Sequence, residues 1–223
     1  MNQDLLAHIK QYGSAYNTED SSLFFYALTR MQQFKTFIEF GTGLGCTSFA
    51  VAYAMKENKF GKCITFDNGS EYEEIENVSY KKWINSFASK IEIENYFTLK
   101  QRNIDFQSVL IDNVDCVFSD FDRSEDNINK LMSWALYSMN DYSSIFIDGL
   151  YNYKEGFYYT KLLVSMLNEN TIPNSLTFTE KQKMYAKKFV EDHSFSLTTI
   201  RKHDKNNIGQ DSMCWIKIES NNI

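Results

Sequence analysis

Three of the chain's nine glycines, Gly41, Gly43 and Gly45, fall within five residues in the run IEFGTGLGCTS. Glycines at this spacing, with Thr42 between the first two, permit a tight strand-to-helix turn. Its backbone can approach a ligand without a Cβ in the way. The helix that follows brings unpaired N–H groups to the same place, where they favour an anionic group. A dinucleotide-binding turn wants G-x-G-x-x-G, but position 46 is Cys46, so the motif leans away from NAD. Glu39 lies near the end of a buried apolar run, where an ionised carboxylate needs a partner. Asp67 ends the run ITFD, and an acid there can accept hydrogen bonds from ribose hydroxyls. Asp-Asn-Gly is equally a turn former. Asp120 and Asp148 end two further apolar runs, CVFSD and SIFID.

The elements that position these residues alternate between helix and strand. The periodicity predicts helices over 4–12 and 20–33, then a strand Thr36–Phe40. A helix Thr47–Asn58 follows, with Cys46 or Thr47 near its N-cap, then a strand Lys62–Asp67. Further on come a helix over Val78–Ser89, a strand Tyr96–Gln101 and a short helix Phe106–Ile111. The next elements are a strand Val114–Ser119, a helix Asp126–Met139, a strand Ser143–Ile147 and a helix Gly156–Asn168. Two strands, Phe195–Arg201 and Met213–Glu219, joined by the loop HDKNNIGQD, form an antiparallel hairpin. The fold class is therefore α/β, with a mostly parallel, seven-stranded sheet covered by helices on both faces. Ligands in such sheets bind beyond the carboxyl ends of the strands, which is where the residues above lie.

Composition narrows the function. The chain has 223 residues and a formal net charge of −6, with no basic block, which disfavours a nucleic-acid partner. No apolar run approaches the ~20 residues that span a bilayer. The polar start MNQDLLAHIKQYG lacks the features of a signal peptide, so a cytoplasmic location is expected. Cys46, Cys63, Cys116 and Cys214 are far apart and fit buried free thiols better than a zinc site. With no linker or repeat, 1–223 is expected to be a single domain. It comprises a helical segment 1–33, a core 34–155 and a C-terminal helix and hairpin 156–223. His8 is expected at the surface, and neither His193 nor His203 has a motif partner. Tyr151 and Tyr153 fit either an acceptor pocket or ordinary packing.

At residues 20–155 the chain resembles the class I S-adenosylmethionine-dependent methyltransferases, closest to the catechol and caffeoyl-CoA type of small-molecule O-methyltransferase. The residues that carry the likeness are 27–48, KCITFDNGSEY, VDCVFSDFDR and SSIFIDGLYN. The resemblance implies a Rossmann-like methyltransferase fold, S-adenosylmethionine as cofactor and methyl transfer to a small molecule, at oxygen. It assigns Glu39, Gly41, Gly43 and Gly45 to the methionine part of the cofactor, with Thr42 also cofactor-binding and Thr47 and Ser48 near it. Asp67 would hold the ribose, and Asn68 and Asn103 would stand beside the adenine, with Asp105 the alternative to Asn103. Asp120 would border both the cofactor and the reacting centre, and Asp120, Arg123 and Asp148 form the implied catalytic group.

In the metal-dependent enzymes of that branch, two aspartates and an asparagine hold a divalent ion such as magnesium. Asp120 and Asp148 match the aspartates, but Gly149 stands at the asparagine position. Asp122 and Asn152 are nearby replacements without spacing to support them. Arg123 stands where lysine is common; it stays protonated and cannot act as a base, although it can anchor an anion. The Asn/Asp-Pro-Pro-aromatic signature of nucleic-acid amino-methylating enzymes is absent, SDFD standing in its place. The short N-terminal segment leaves an open pocket or one covered by a second copy, as a homodimer. Two other readings remain open: a non-catalytic cofactor-binding or scaffold protein, and a nucleotide-binding enzyme on a related sheet.

Overall fold

The computed structural model describes residues 1–13, 19–72, 74–201 and 212–221. They divide into two compact units, Met1–Ile104 and Asp105–Ile223.

The first unit begins with helix α1 (Gln3–His8), whose Asn2 side chain accepts from Asp4 N. A π-helical turn, Ile9–Gly13, continues it, and α2 (Glu19–Gln32) follows. Strands β1 (Thr36–Phe40) and β2 (Lys62–Asp67) have apolar and β-branched interiors broken by Glu39, and pair in parallel, with Glu39 opposite Thr65 and Phe40 opposite Phe66. Helix α3 (Cys46–Asn58) connects them and buries most of its length. Strand β5 (Phe97–Gln101) lies on the other side of β2, with Gln101 opposite Asp67. Between β2 and β5 stand a small hairpin, β3 (Glu74–Ile75) with β4 (Val78–Ser79), and helix α4 (Tyr80–Lys90). Residues 78 and 79 were expected to be helical. Instead Glu76 and Asn77 both take positive φ, 54° and 62°, the conformation of a two-residue hairpin turn, and the helix starts only at Tyr80.

In the second unit, β6 (Val114–Ser119) pairs in parallel with β7 (Met139–Asp148). Strand β9 (Ser212–Ser220) runs antiparallel to β7, and β8 (His193–Arg201) antiparallel to β9. Helix α5 (Glu125–Ser138) is N-capped by Ser124, and α6 (Lys154–Asn168) follows β7. The expected helix 106–111 is a single 3-10 turn, Phe106–Ser108, capped by Asp105. Helix α7 (Glu180–Asp192) was not anticipated, although Thr179 and Gln182 form a reciprocal capping box at its start. The seven strands other than β3 and β4 belong to one mostly parallel sheet with the antiparallel hairpin at its C-terminal end, as the alternation predicted. The hairpin loop, with His203, lies outside the described residues. Among the described residues, no helix is long and apolar enough to cross a membrane.

Candidate active site

The glycine turn joins β1 to α3, and nearly every polar group along its backbone has a fixed partner. Gly41 N donates to Phe66 O at 2.9 Å, and Gly45 N donates to Thr42 O at 2.8 Å. Asp67 Oδ2 accepts from both Thr42 N (2.9 Å) and Gly43 N (3.0 Å), while Oδ1 accepts from Gly69 N (2.7 Å). Tyr80 Oη donates to Gly43 O at 2.8 Å, and His8 Nε2 donates to Leu44 O at 2.8 Å. Asp67 is thus both the turn former and the anchor of the glycine loop. Of the roughly four hydrogen bonds a carboxylate can accept, three are made here by backbone amides. One acceptor position is left for a hydroxyl.

Behind the loop, Thr65 Oγ1 donates to Glu39 Oε2 at 2.6 Å. That uses the only Thr65 hydroxyl proton, so Thr42 Oγ1 is the donor in its 2.5 Å bond to Thr65 Oγ1. The buried Glu39 carboxylate therefore has the partner its position demands. Two glycines in the loop face different surroundings. A Cβ on Gly45 (φ 79°) would lie 2.6 Å from the Phe49 ring, whereas a Cβ on Gly43 (φ 50°) would meet nothing within 4 Å. The loop is therefore packed on its helix side and open at Gly43. Helix α3 starts from Gly45 with no side-chain cap. Thr47 and Ser48 lie buried in its first turn, and the Ser48 hydroxyl turns back to Gly45 O at 3.4 Å. The Cys46 thiol is pushed up to about 12 by burial and then by the charge of Glu39, which disfavours the thiolate.

Asn68 and Asn103 are brought together: Asn68 Nδ2 donates to Asn103 Oδ1 at 3.1 Å, beyond the ends of β2 and β5. Asp105 is occupied in capping the 3-10 turn. His8 corrects the expectation of a surface residue. It is 4% exposed, with its ring among Tyr12, Phe49, Trp83 and Phe87. Burial lowers its pKa to about 4, against the raising effect of the Leu44 carbonyl. The missed signal was the stripe Leu5, His8, Ile9 and Tyr12 at helical spacing. Thr65 and Tyr80 were also missed. Aligning IEF with ITF places Thr65 beside Glu39, but nothing in the sequence pointed to Tyr80.

In the second unit, Asp120, Arg123 and Asp148 form one cluster. Arg123 Nη2 lies 3.1 Å from Asp120 Oδ1 and 3.1 Å from Asp148 Oδ2, and Nε donates to Asp148 O at 2.8 Å. Burial, then the neighbouring Asp120, raises the Asp148 carboxyl well above the usual range, and Arg123 opposes this. Asp122 stands apart, accepting from Ser124 N (2.9 Å), Ser124 Oγ (3.0 Å) and Asn127 Nδ2 at the start of α5. His193 Nδ1 donates to Phe189 O at 2.7 Å, a structural bond within the turn from α7 to β8. Tyr151 lies under Lys154 and Arg201, and Tyr153 is exposed. The four cysteines are buried free thiols.

No protein-family model matches the sequence, and no curated protein sequence is similar enough to match it. Solved structures do match. The O-methyltransferase TomG from Streptomyces achromogenes, involved in tomaymycin synthesis and solved with SAM, is 14% identical. It superposes with a TM-score of 0.59 over 99% of this chain and 92% of its own. The O-methyltransferase from Bacillus cereus, solved with SAH, is 14% identical, with a TM-score of 0.58 over 98% and 92%. The SAH-bound methyltransferase PaMTH1 from Podospora anserina is 11% identical, with a TM-score of 0.61 over 99% and 89%. The chain has the class I methyltransferase fold.

Within that fold, the residues present suit one of the two groups that the resemblance implies and not the other. The open face at Gly43, the uncapped start of α3 and the remaining acceptor position on Asp67 fit S-adenosylmethionine. A divalent cation does not fit. The guanidinium of Arg123 already bridges Asp120 and Asp148, Gly149 offers no donor, and Asp122 is committed to α5. Among the described residues, no group of three or more His, Cys, Asp and Glu side chains is arranged to hold a metal ion.

Proposed function

We propose that this protein is an S-adenosylmethionine-dependent methyltransferase acting on a small-molecule acceptor at oxygen. The observation that carries the reading is the glycine loop suspended from Asp67 at the mouth of α3, with an open face at Gly43. In this reading Glu39, Gly41, Thr42, Gly43 and Gly45 shape the place of the methionine portion. The first turn of α3, with Thr47 and Ser48, favours its carboxylate. Asp67 takes a ribose hydroxyl, and the Asn68–Asn103 pair borders the adenine.

When bound, S-adenosylmethionine supplies an electrophilic methyl group on a sulfonium sulfur. The chain's contribution is then to orient the acceptor oxygen in line and to receive its proton. Asp120 and Asp148 are the groups in the cluster able to take a proton, and Arg123, always charged, orients. A cytoplasmic location and a homodimer belong to the same proposal. Calorimetric titration with S-adenosylhomocysteine tests the cofactor half, and turnover across an acceptor panel tests the transfer half.

One observation favours a second reading. Arg123 and Gly149 replace residues that the metal-dependent relatives use, which fits a protein that binds the cofactor without catalysis. Saturable cofactor binding with no turnover across a panel of phenols, alcohols and carboxylic acids supports this second reading. Turnover of any of them removes it.

A further inference from the structure

We propose that the Arg123 guanidinium takes the place a divalent cation holds in the metal-dependent enzymes this chain resembles. The Asp120–Asp148 site is then metal-independent and selects acceptors presenting one hydroxyl or carboxylate oxygen instead of two adjacent hydroxyls. The metal half stands on geometry alone, and the substrate half rests on the methyltransferase reading.

A cation bridging two carboxylates neutralises them and holds them at a fixed separation. Here one nitrogen does this, since Arg123 Nη2 is 3.1 Å from an oxygen of each carboxylate. The bond from Nε to Asp148 O, at 2.8 Å, keeps the guanidinium from swinging away. The side chain is only 16% exposed, and Asp148 only 7%, so this is an enclosed ion pair and not a solvated surface bridge. Arginine does not lose its proton at any relevant pH. A divalent ion entering here must therefore displace a fixed positive charge or sit against it.

The two departures from the family pattern are also one structural change. Gly149 takes φ 62°, and a Cβ there would lie 3.3 Å from Arg123 Nε and 3.4 Å from Nη2. An asparagine at 149 would press on the guanidinium, so the loss of the third metal donor makes room for the arginine. On the other side, a Cβ at Gly156 would lie 2.8 Å from Arg123 O, so the backbone of Arg123 is held closely against α6 as well.

The bonds that remain set the acceptor. Nε and Nη2 are engaged by the protein, and among the described residues none bonds Nη1. Its two N–H bonds point apart, so each can hold one accepting oxygen and the two cannot together grip a pair of adjacent oxygens. A metal ion with two open positions instead chelates a pair of adjacent oxygens.

The test uses the full chain. Wild-type protein is titrated with Mn2+, followed by the electron paramagnetic resonance signal of the free ion, and in parallel with S-adenosylhomocysteine by calorimetry. The expected result is no Mn2+ binding at concentrations up to about 1 mM, with S-adenosylhomocysteine affinity unchanged by chelator. Arg123→Ala should lower Tm and create Mn2+ binding that restores it. The wild-type titration remains decisive if that variant does not fold. Stoichiometric Mn2+ binding by the wild type that Asp148→Asn abolishes would overturn the metal half. Chelator-sensitive turnover that prefers catechols to mono-hydroxy or carboxylate acceptors would overturn the substrate half. Failure of S-adenosylhomocysteine to bind, with Mn2+ also unbound, removes the methyltransferase reading and leaves the arginine clamp standing.

Discussion

Asp67 serves the loop and the proposed cofactor with one carboxylate, and the two duties can be separated by mutation. Asp67→Ala removes the acceptor for Thr42 N, Gly43 N and Gly69 N together with the position left for a ribose hydroxyl. S-adenosylhomocysteine affinity should fall by more than about tenfold, or ~1.4 kcal/mol, while circular dichroism still reports a folded chain. Unchanged affinity would confine Asp67 to the turn. His8 is the second residue to probe. Its folded pKa of about 4 lies below its ordinary value of 6.5, so the unfolded chain binds more protons between these limits. The stability His8 contributes is therefore full above pH 6.5 and is lost as pH falls toward 4. In urea denaturation, the gap between wild type and His8→Gln should narrow over that window by up to roughly 3 kcal/mol. A gap independent of pH would contradict the buried, neutral imidazole.

At the level of elements, the glycine loop makes the clearest prediction. Gly45→Ala puts a methyl 2.6 Å from the Phe49 ring at φ 79°, whereas Gly43→Ala meets open space at φ 50°. Both incur about 1–2 kcal/mol for the left-handed backbone, and Gly45→Ala adds an overpacking cost of about 1–3 kcal/mol. Denaturant midpoints should rank wild type above Gly43→Ala above Gly45→Ala. If Gly43 faces the cofactor, its variant should lose more S-adenosylhomocysteine affinity than its modest destabilisation suggests. A reversed stability order would contradict the packing described. The capping box of α7 adds a simpler check: Thr179→Ala should cost about 1 kcal/mol. Strands β1, β2 and β6 were legible to the residue, because continuous apolar and β-branched runs ending in Gly or Asp mark buried parallel strands. Helix α7 was not, although TEKQ carries its capping signal, because its polar surface gives a weak apolar stripe. The hairpin β3–β4 escaped because Glu76 and Asn77 adopt a turn that glycine normally marks. In the candidate site, residue types at strand ends were readable, but their partners were not. Tyr80 and His8 reach the loop from separate helices, and only the folded chain shows that Arg123 lies between two aspartates.

For the molecule as a whole, fold and proposed activity have different grounds. The fold rests on seven strands in one mostly parallel sheet and on superposition with solved methyltransferases across nearly the full chain. The proposed activity rests on the chemistry of particular residues, because one fold hosts many functions. The net charge of −6, without a basic block, agrees with a small-molecule acceptor and gives no footprint for a phosphate backbone. The loop on Asp67 and the clamp on Arg123 divide the proposed work, the first toward the cofactor and the second toward the acceptor oxygen. The central claim is that the glycine loop holds S-adenosylmethionine, and isothermal titration of the full chain with S-adenosylhomocysteine tests it most directly. The account predicts saturable one-to-one binding that Asp67→Ala weakens by more than about tenfold. No heat from either S-adenosylhomocysteine or S-adenosylmethionine up to about 1 mM would contradict it.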